Sequence, residues 1–379
     1  MRIFSPLLIL TAVLLLVARP SAAFDWRSLA APDSELYECL VRELGEERVA
    51  GLGKGRPEDR KQRRKAKMAL LKCKNEAALA KGTGTPPYDG PLFDAMSQID
   101  ETAARKRAMA NVIDAGVDKL ALFARSRKRL HQNERLVLDL AKHHPDLIVT
   151  GAPKYFRLKN DLSDTYIRAT VEGVKKHDYR FVGEILYTHG DKSEGATTAQ
   201  GERFVEPLAP GTRKLLQAVA PLDIPLMVHF ENYAWDRDAP KFHRLFAQWP
   251  DQTFIIPHMA FATPEQVTEL LSRHPNVYMT ISKKERAMKG FSDADKADAI
   301  GSSLVDSGFR LRPEWREVLL RFQNRLLFAT DPHWPSLWDS YQQPVLVHRV
   351  LLGQLPREAA EKIAYKNAER LYGVKVNAD

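Results

Sequence analysis

Four apolar runs in this chain each lead to a side chain able to carry a proton or a metal ion. Glu184 follows Phe181-Val-Gly, His229 closes Ile224-Pro-Leu-Met-Val, His258 closes Phe254-Ile-Ile-Pro, and Asp331 closes Leu326-Leu-Phe-Ala-Thr. One carboxylate and two imidazoles make a three-ligand set for Zn²⁺ or a similar divalent ion, with a fourth position left for water. A second carboxylate beside such a set can take a proton and later return it to a leaving group. Each residue also has a purely structural reading. A histidine at a strand end is most often just hydrogen-bonded, Glu184 could balance an arginine, and Asp331 could cap a helix. The shared-site reading gains because all four fall in phase on the ends of similar runs. Other residues join them at run ends. Arg125, Lys154, Tyr155 and Lys283 (with Lys284) would suit a carboxylate or phosphate on a substrate, or be solvated loop groups. His189 and His333 are candidate extra ligands, acid–base groups or plain loop residues.

Positioning such a set requires parallel strands that all end on one side. From Leu92 onward the chain alternates short apolar runs with amphipathic stretches. Strands are expected near Leu92–Met96, Lys119–Phe123, Leu147–Thr150, Phe181–Tyr187, Pro225–Phe230, Thr253–Pro257, Val277–Ile281 and Leu326–Thr330. Helical patterns fall between them, as at Arg129–His143, Pro264–His274 and Pro313–Phe322. Eight strand–helix units are the content of a (β/α)₈ TIM barrel, whose reactive residues come from the C-terminal strand ends. Neighbouring strands lie ~4.8 Å apart, so Glu184, His229 and His258 on consecutive strands can converge. Thr188 to Gly211, rich in Gly and Thr, reads as a lid over the barrel mouth. No Gly-x-Ser-x-Gly elbow, P-loop or His-Glu-x-x-His helix occurs, which argues against serine hydrolases, nucleotide hydrolases and zincins.

These residues resemble the amidohydrolase superfamily, in its amidohydrolase-related (amidohydrolase-2) branch. The resemblance runs from Tyr88 to about Val374. It rests on Val182-Gly-Glu-Ile, Pro225-Leu-Met-Val-His229, Ile255-Ile-Pro-His258, Asn276-Val-Tyr-Met-Thr-Ile-Ser, Phe328-Ala-Thr-Asp331-Pro and Lys366-Asn-Ala-Glu-Arg-Leu-Tyr-Gly. It implies a metal-dependent hydrolase, lactonase or decarboxylase of a small molecule. His229 and His258 match the ligands of strands five and six, Asp331 the strand-eight carboxylate, and Glu184 a ligand or bridging position used in some branches. One departure matters. Members carry a His-x-His pair on strand one, and Met96 and Gln98 stand in its place. A thioether and an amide are poor substitutes for imidazole toward a borderline ion, so a two-metal site is not expected. The expectation is one divalent ion, zinc before manganese or iron, with two rivals on the same pocket: a metal-free lactonase or decarboxylase, or a non-catalytic small-molecule binder.

The amino terminus is read separately. Arg2, an apolar run from Ile3 to Val17, and Ser21-Ala-Ala23 form the pattern of a signal peptide cleaved near Ala23. The run is too short for the ~20 residues of a membrane span, so the mature chain is expected to be exported, periplasmic and without a span. The chain has 2 Cys, which excludes a cysteine-rich metal module, and export would let Cys39 and Cys73 pair across a helical hairpin. Ser34 to Ala50 and Glu58 to Leu79 are its expected helices. The second carries Arg60, Lys61, Arg63, Arg64, Lys65 and Lys67. In an exported protein that run reads first as a solvated face and second as a weak contact to an anionic membrane surface, rather than as a nucleic-acid contact, and the net charge of +9 does not demand an anionic partner. The expected organisation is a signal peptide over 1–23, a helical extension over 24–82 and the barrel over 83–379. The expected partner is a small-molecule substrate. Oligomeric state is not addressed by the sequence.

Overall fold

A computed structural model describes residues 35–53, 66, 69, 73, 83–101, 105–126, 130–155, 161–190, 202–282, 303–306 and 308–376. The chain divides into two compact units, one up to Ala77 and one from Ala78 onward. The signal-peptide reading and every basic residue of the run from Arg60 to Lys67 lie outside the described residues.

In the first unit, Glu35–Leu44 and Glu46–Gly53 are helical. This corrects the single helix expected from Ser34 to Ala50. Gly45 adopts φ +83°, a left-handed conformation that glycine takes at little cost, and it breaks the run. Leu40, Leu44, Val49 and Leu52 form a small core with Ala66, Ala69 and the two cysteines. The expected disulfide is present between Cys39 and Cys73, with Cα atoms 5.7 Å apart.

The second unit is a TIM barrel. Its strands are β1 (Phe93–Ile99), β2 (Lys119–Ser126), β3 (Ile148–Tyr155), β4 (Val182–Leu186), β5 (Leu226–His229), β6 (Phe254–Ile256), β7 (Val277–Thr280) and β8 (Leu326–Leu327). They pair in parallel in that order. Hydrogen bonds from Ala95 N to Phe328 O (2.9 Å) and from Asp331 N to Met96 O (3.0 Å) bring the eighth strand back to the first. The strands are buried on both faces, which is why they read as apolar runs rather than as alternation. Phe93, Ala121, Phe123, Phe181, Met227, Ile255 and Leu327 fill the interior, and a larger cluster packs strands against the surrounding helices.

Two irregularities aim side chains at the mouth. The β1–β2 register shifts between Asp94 and Ser97, and the β4–β5 register between Val182 and Ile185. Such bulges re-aim side chains at the expense of a ladder bond. The second lies at Glu184. Gly183 beside it allows a close strand approach, since a Cβ there would meet Ala152 O at 2.3 Å.

Candidate functional site

Glu184, His229, His258 and Asp331 come together at the C-terminal end of the barrel, and all four are buried. They form two connected networks. In the first, Glu184 Oε1 lies 2.6 Å from His229 Nδ1, and the other nitrogen of that ring, Nε2, lies 2.8 Å from Glu231 Oε1. Lys154 donates to Glu184 Oε2. In the second, Asp331 Oδ1 accepts from Gln98 Nε2 at 2.6 Å, and Asp331 Oδ2 lies 3.2 Å from His258 Nε2. His333 Nδ1 stands 3.8 Å from the same carboxylate. The His229 and His258 rings meet edge to face, 5.0 Å between centroids.

The electrostatics follow from burial opposed by charge. Burial works against an ionised Glu184, but the charges of Lys154 and His229 outweigh it and hold the carboxyl well below its ordinary range. Burial also disfavours a charged His229, yet Glu184 and Glu231 on either side raise it above the ordinary histidine range. For Lys154 burial wins: its pKa is lowered despite Glu184 and Asp331. Lys154 is buried and paired with Glu184 at the same end of the barrel. Arg125 is similarly engaged. It is buried, lies 3.5 Å from Asp100, donates to His333 O at 2.8 Å and stacks under the exposed Trp334 ring at 4.1 Å.

His258 opens an unusual turn. It and the next three residues, Met259, Ala260 and Phe261, all have φ between +48° and +56°. Non-glycine residues visit that region singly, and each costs about 1–2 kcal/mol, so the turn is strained. Asp331 is left-handed too, at φ +49°. Both strained residues sit at the candidate site. His258 N donates to Thr280 Oγ1 (2.9 Å), which helps hold the turn against β7.

The expected lid is described at its two ends. Thr188–His189 pairs antiparallel with Arg203–Phe204, and the segment between lies outside the described residues. Thr188 Oγ1 donates to Asp238 (2.5 Å), and Arg237 bridges Asp238 and Glu202. His189, half-buried, stacks on His229 with centroids 5.3 Å apart, so this hairpin borders the site. Lys283 and the side chain of Tyr155 lie outside what is described. Two residues escaped the sequence reading. Glu231 stands two positions past His229, a spacing that puts both on one face of an extended strand. Gln98 was set aside as a weak ligand and instead holds Asp331.

Glu184, His229 and His258 can hold a metal ion: each offers a donor atom, and the three lie within 4.8 Å of one another. The donor chemistry fits a divalent ion of borderline softness. Gln98 Oε1 is buried with no hydrogen-bond partner among the described residues, leaving a spare acceptor beside Asp331. An ion on Glu184 would have to compete there with the Lys154 ammonium. On the strand-one side, Met96 packs into the barrel interior, where its thioether serves the core.

A family model described as Amidohydrolase matches residues 90–374. Solved structures similar to the chain include a phosphotriesterase homology protein from Escherichia coli (11% identity, TM-score 0.48, covering 76% of this chain and 99% of that one). They include 2,6-dihydroxybenzoate decarboxylase from Rhizobium (16%, 0.45, 76% and 99%). A TIM-barrel protein of uncharacterised function from Bordetella bronchiseptica is a third (16%, 0.47, 70% and 81%). No match was found among curated proteins.

Proposed function

The chain belongs to the amidohydrolase family, and from that membership we propose that it is an exported hydrolase of a small carbonyl compound (a lactone, ester or amide) that works with one divalent ion. The observation that carries this reading is the convergence of Glu184, His229 and His258 within 4.8 Å. These residues would hold the ion, zinc before manganese or iron. Bound there, it supplies Lewis acidity toward a carbonyl and toward water.

The chain's own residues do the rest. Asp331 accepts the proton of the attacking water and returns it to the leaving group. Gln98 on Oδ1 and His258 on Oδ2 fix the plane of that carboxylate. Glu231 fixes the orientation of the His229 ring. His189, from the short strand paired with Arg203–Phe204, stacks on the His229 ring and packs it from one side. The test is a panel of lactones, esters and amides against metal-loaded protein and its Asp331→Asn variant. Asp331→Asn is expected to lower kcat at least about 10²-fold. Full turnover in that variant removes Asp331 from the mechanism.

A second reading has its own support. Lys154 and His229 already stand against the Glu184 and Glu231 carboxylates, contacts that favour the charged form of the imidazole, as a site working without metal would require. It would then be a metal-free lactonase or decarboxylase, or a small-molecule binder. That reading predicts ligand-dependent stabilisation with no dependence on divalent ions. Export is supported by the disulfide, and no helix among the described residues is long and apolar enough to cross a membrane. Intact mass of the secreted product should correspond to a chain beginning at Phe24.

A further inference from the structure

His229 belongs to two groups of metal-ligating side chains. One is the set already described. The other is His189, His229 and Glu231, whose donor atoms also lie within 4.8 Å of one another. The two groups occupy opposite sides of one imidazole, since Nδ1 faces Glu184 at 2.6 Å and Nε2 faces Glu231 at 2.8 Å. We propose that His189, His229 and Glu231 form a second, outer position for a divalent cation, and that it and the inner position exclude each other. This rests on the reading that the site takes a divalent ion, and adds where else the ion binds and how many ions bind.

The outer position is a built site. His229 and Glu231 are buried, and Gly190 N donates to Glu231 Oε2 at 3.2 Å, which fixes the carboxylate beside the ring. His189 is half-buried on the hairpin, so this side of His229 lies nearer solvent than the Glu184 side. Two imidazoles and a carboxylate are again a donor set for zinc. Exclusion follows from imidazole chemistry. A neutral ring has one nitrogen lone pair to give and one N–H, and the N–H is donated to the carboxylate on its own side. An ion on the inner side leaves Glu231 orienting the ring; an ion on the outer side leaves Glu184 in that role. Lys154 favours the outer side, because its ammonium already competes for Glu184.

The test is a Zn²⁺ titration of the metal-stripped full chain by calorimetry, beside His258→Asn, His189→Ala and the double variant. Asparagine tolerates the left-handed backbone of position 258. Thermal melts check that each protein is folded, and Glu184→Gln replaces His258→Asn if that variant does not fold. The parent is expected to take one equivalent. Each single variant is expected to keep one equivalent at weakened affinity, and the double variant to lose it. If His258→Asn alone abolishes binding and His189→Ala leaves it unchanged, the outer position is overturned while the inner one stands. If His189→Ala alone abolishes binding, the outer position stands and the inner one falls, and the exclusion with it. Two equivalents in the parent overturn exclusion. No binding by the folded parent overturns both positions.

Discussion

At the scale of single residues, the Lys154–Glu184 pair makes the sharpest claim about the metal-free state. Both side chains are almost inaccessible, at 6% and 1% exposure. Removing one partner of such a pair strands a buried charge, at a cost of about 3–5 kcal/mol, whereas replacing both with neutral groups is nearly harmless. Because His229 Nδ1 stays 2.6 Å from Glu184, Lys154→Met should lower unfolding free energy without metal by less than that full amount, and Lys154→Met with Glu184→Gln should recover most of the loss, measured by urea denaturation. A single variant as stable as the parent would show that Lys154 does not neutralise Glu184. The grouping of Glu184, His229 and His258 was legible because each lies in or just past a buried strand near the barrel mouth, where chemistry sits in this fold. The Gln98–Asp331 contact was not legible. It joins residues 233 apart, and only barrel closure brings them together. The burial of Lys154 against Glu184 was not legible, because a lysine near a strand end normally reaches solvent and nothing local says that this one turns inward.

At the scale of elements, strands were easier to read than turns. Buried parallel strands announce themselves by apolar composition, and the helix over Pro264–Arg273 by its helical pattern, which the structure shows closed by a capping box at Thr263. The left-handed turn at His258–Phe261 carries no such mark, since none of its residues is a glycine. Ala260→Gly should relieve about 1–2 kcal/mol of backbone strain against a loss of about 0.8 for one buried methyl. A net stabilisation of up to about 1 kcal/mol is expected in urea, and a clear loss would mean the turn is not strained at that residue. A second element-level pair lies outside the barrel, where the helices Trp235–Gln248 and Pro264–Arg273 bring His243 Nδ1 to 2.7 Å from His274 Nε2. Burial, then the charges of His243 and Arg273, push His274 down to about 4. An unfolded histidine titrates near 6.5, so the unfolded chain binds the proton more tightly between those values. The stability this contributes is fully present above about pH 6.5 and is lost as pH falls toward 4. His274→Gln should flatten that part of the stability–pH curve; an unchanged curve would show that His274 does not cause it.

At the scale of the whole molecule, two units carry separate burdens. The unit up to Ala77 has a small core, and its disulfide closes a sequence separation of 34 residues. Cross-linking such a loop stabilises by about 4 kcal/mol in the chain-entropy model. Reduction should make the segment 35–53 markedly more sensitive to limited proteolysis, and equal sensitivity would show that the small core suffices alone. The pairing was legible from the cysteines' placement in two expected helices, but the division of the first helix at Gly45 was not, because one left-handed glycine decides it. The barrel holds the chemistry, and the account turns on one imidazole there, since His229 is common to both groups of ligands. The most direct test is elemental analysis of the purified parent and its His229→Ala variant, after both are stripped and reloaded with zinc, manganese or iron. The account predicts about one equivalent of metal in the parent and none in His229→Ala. A folded parent that takes up no metal, or a His229→Ala variant that keeps a full equivalent, would contradict it.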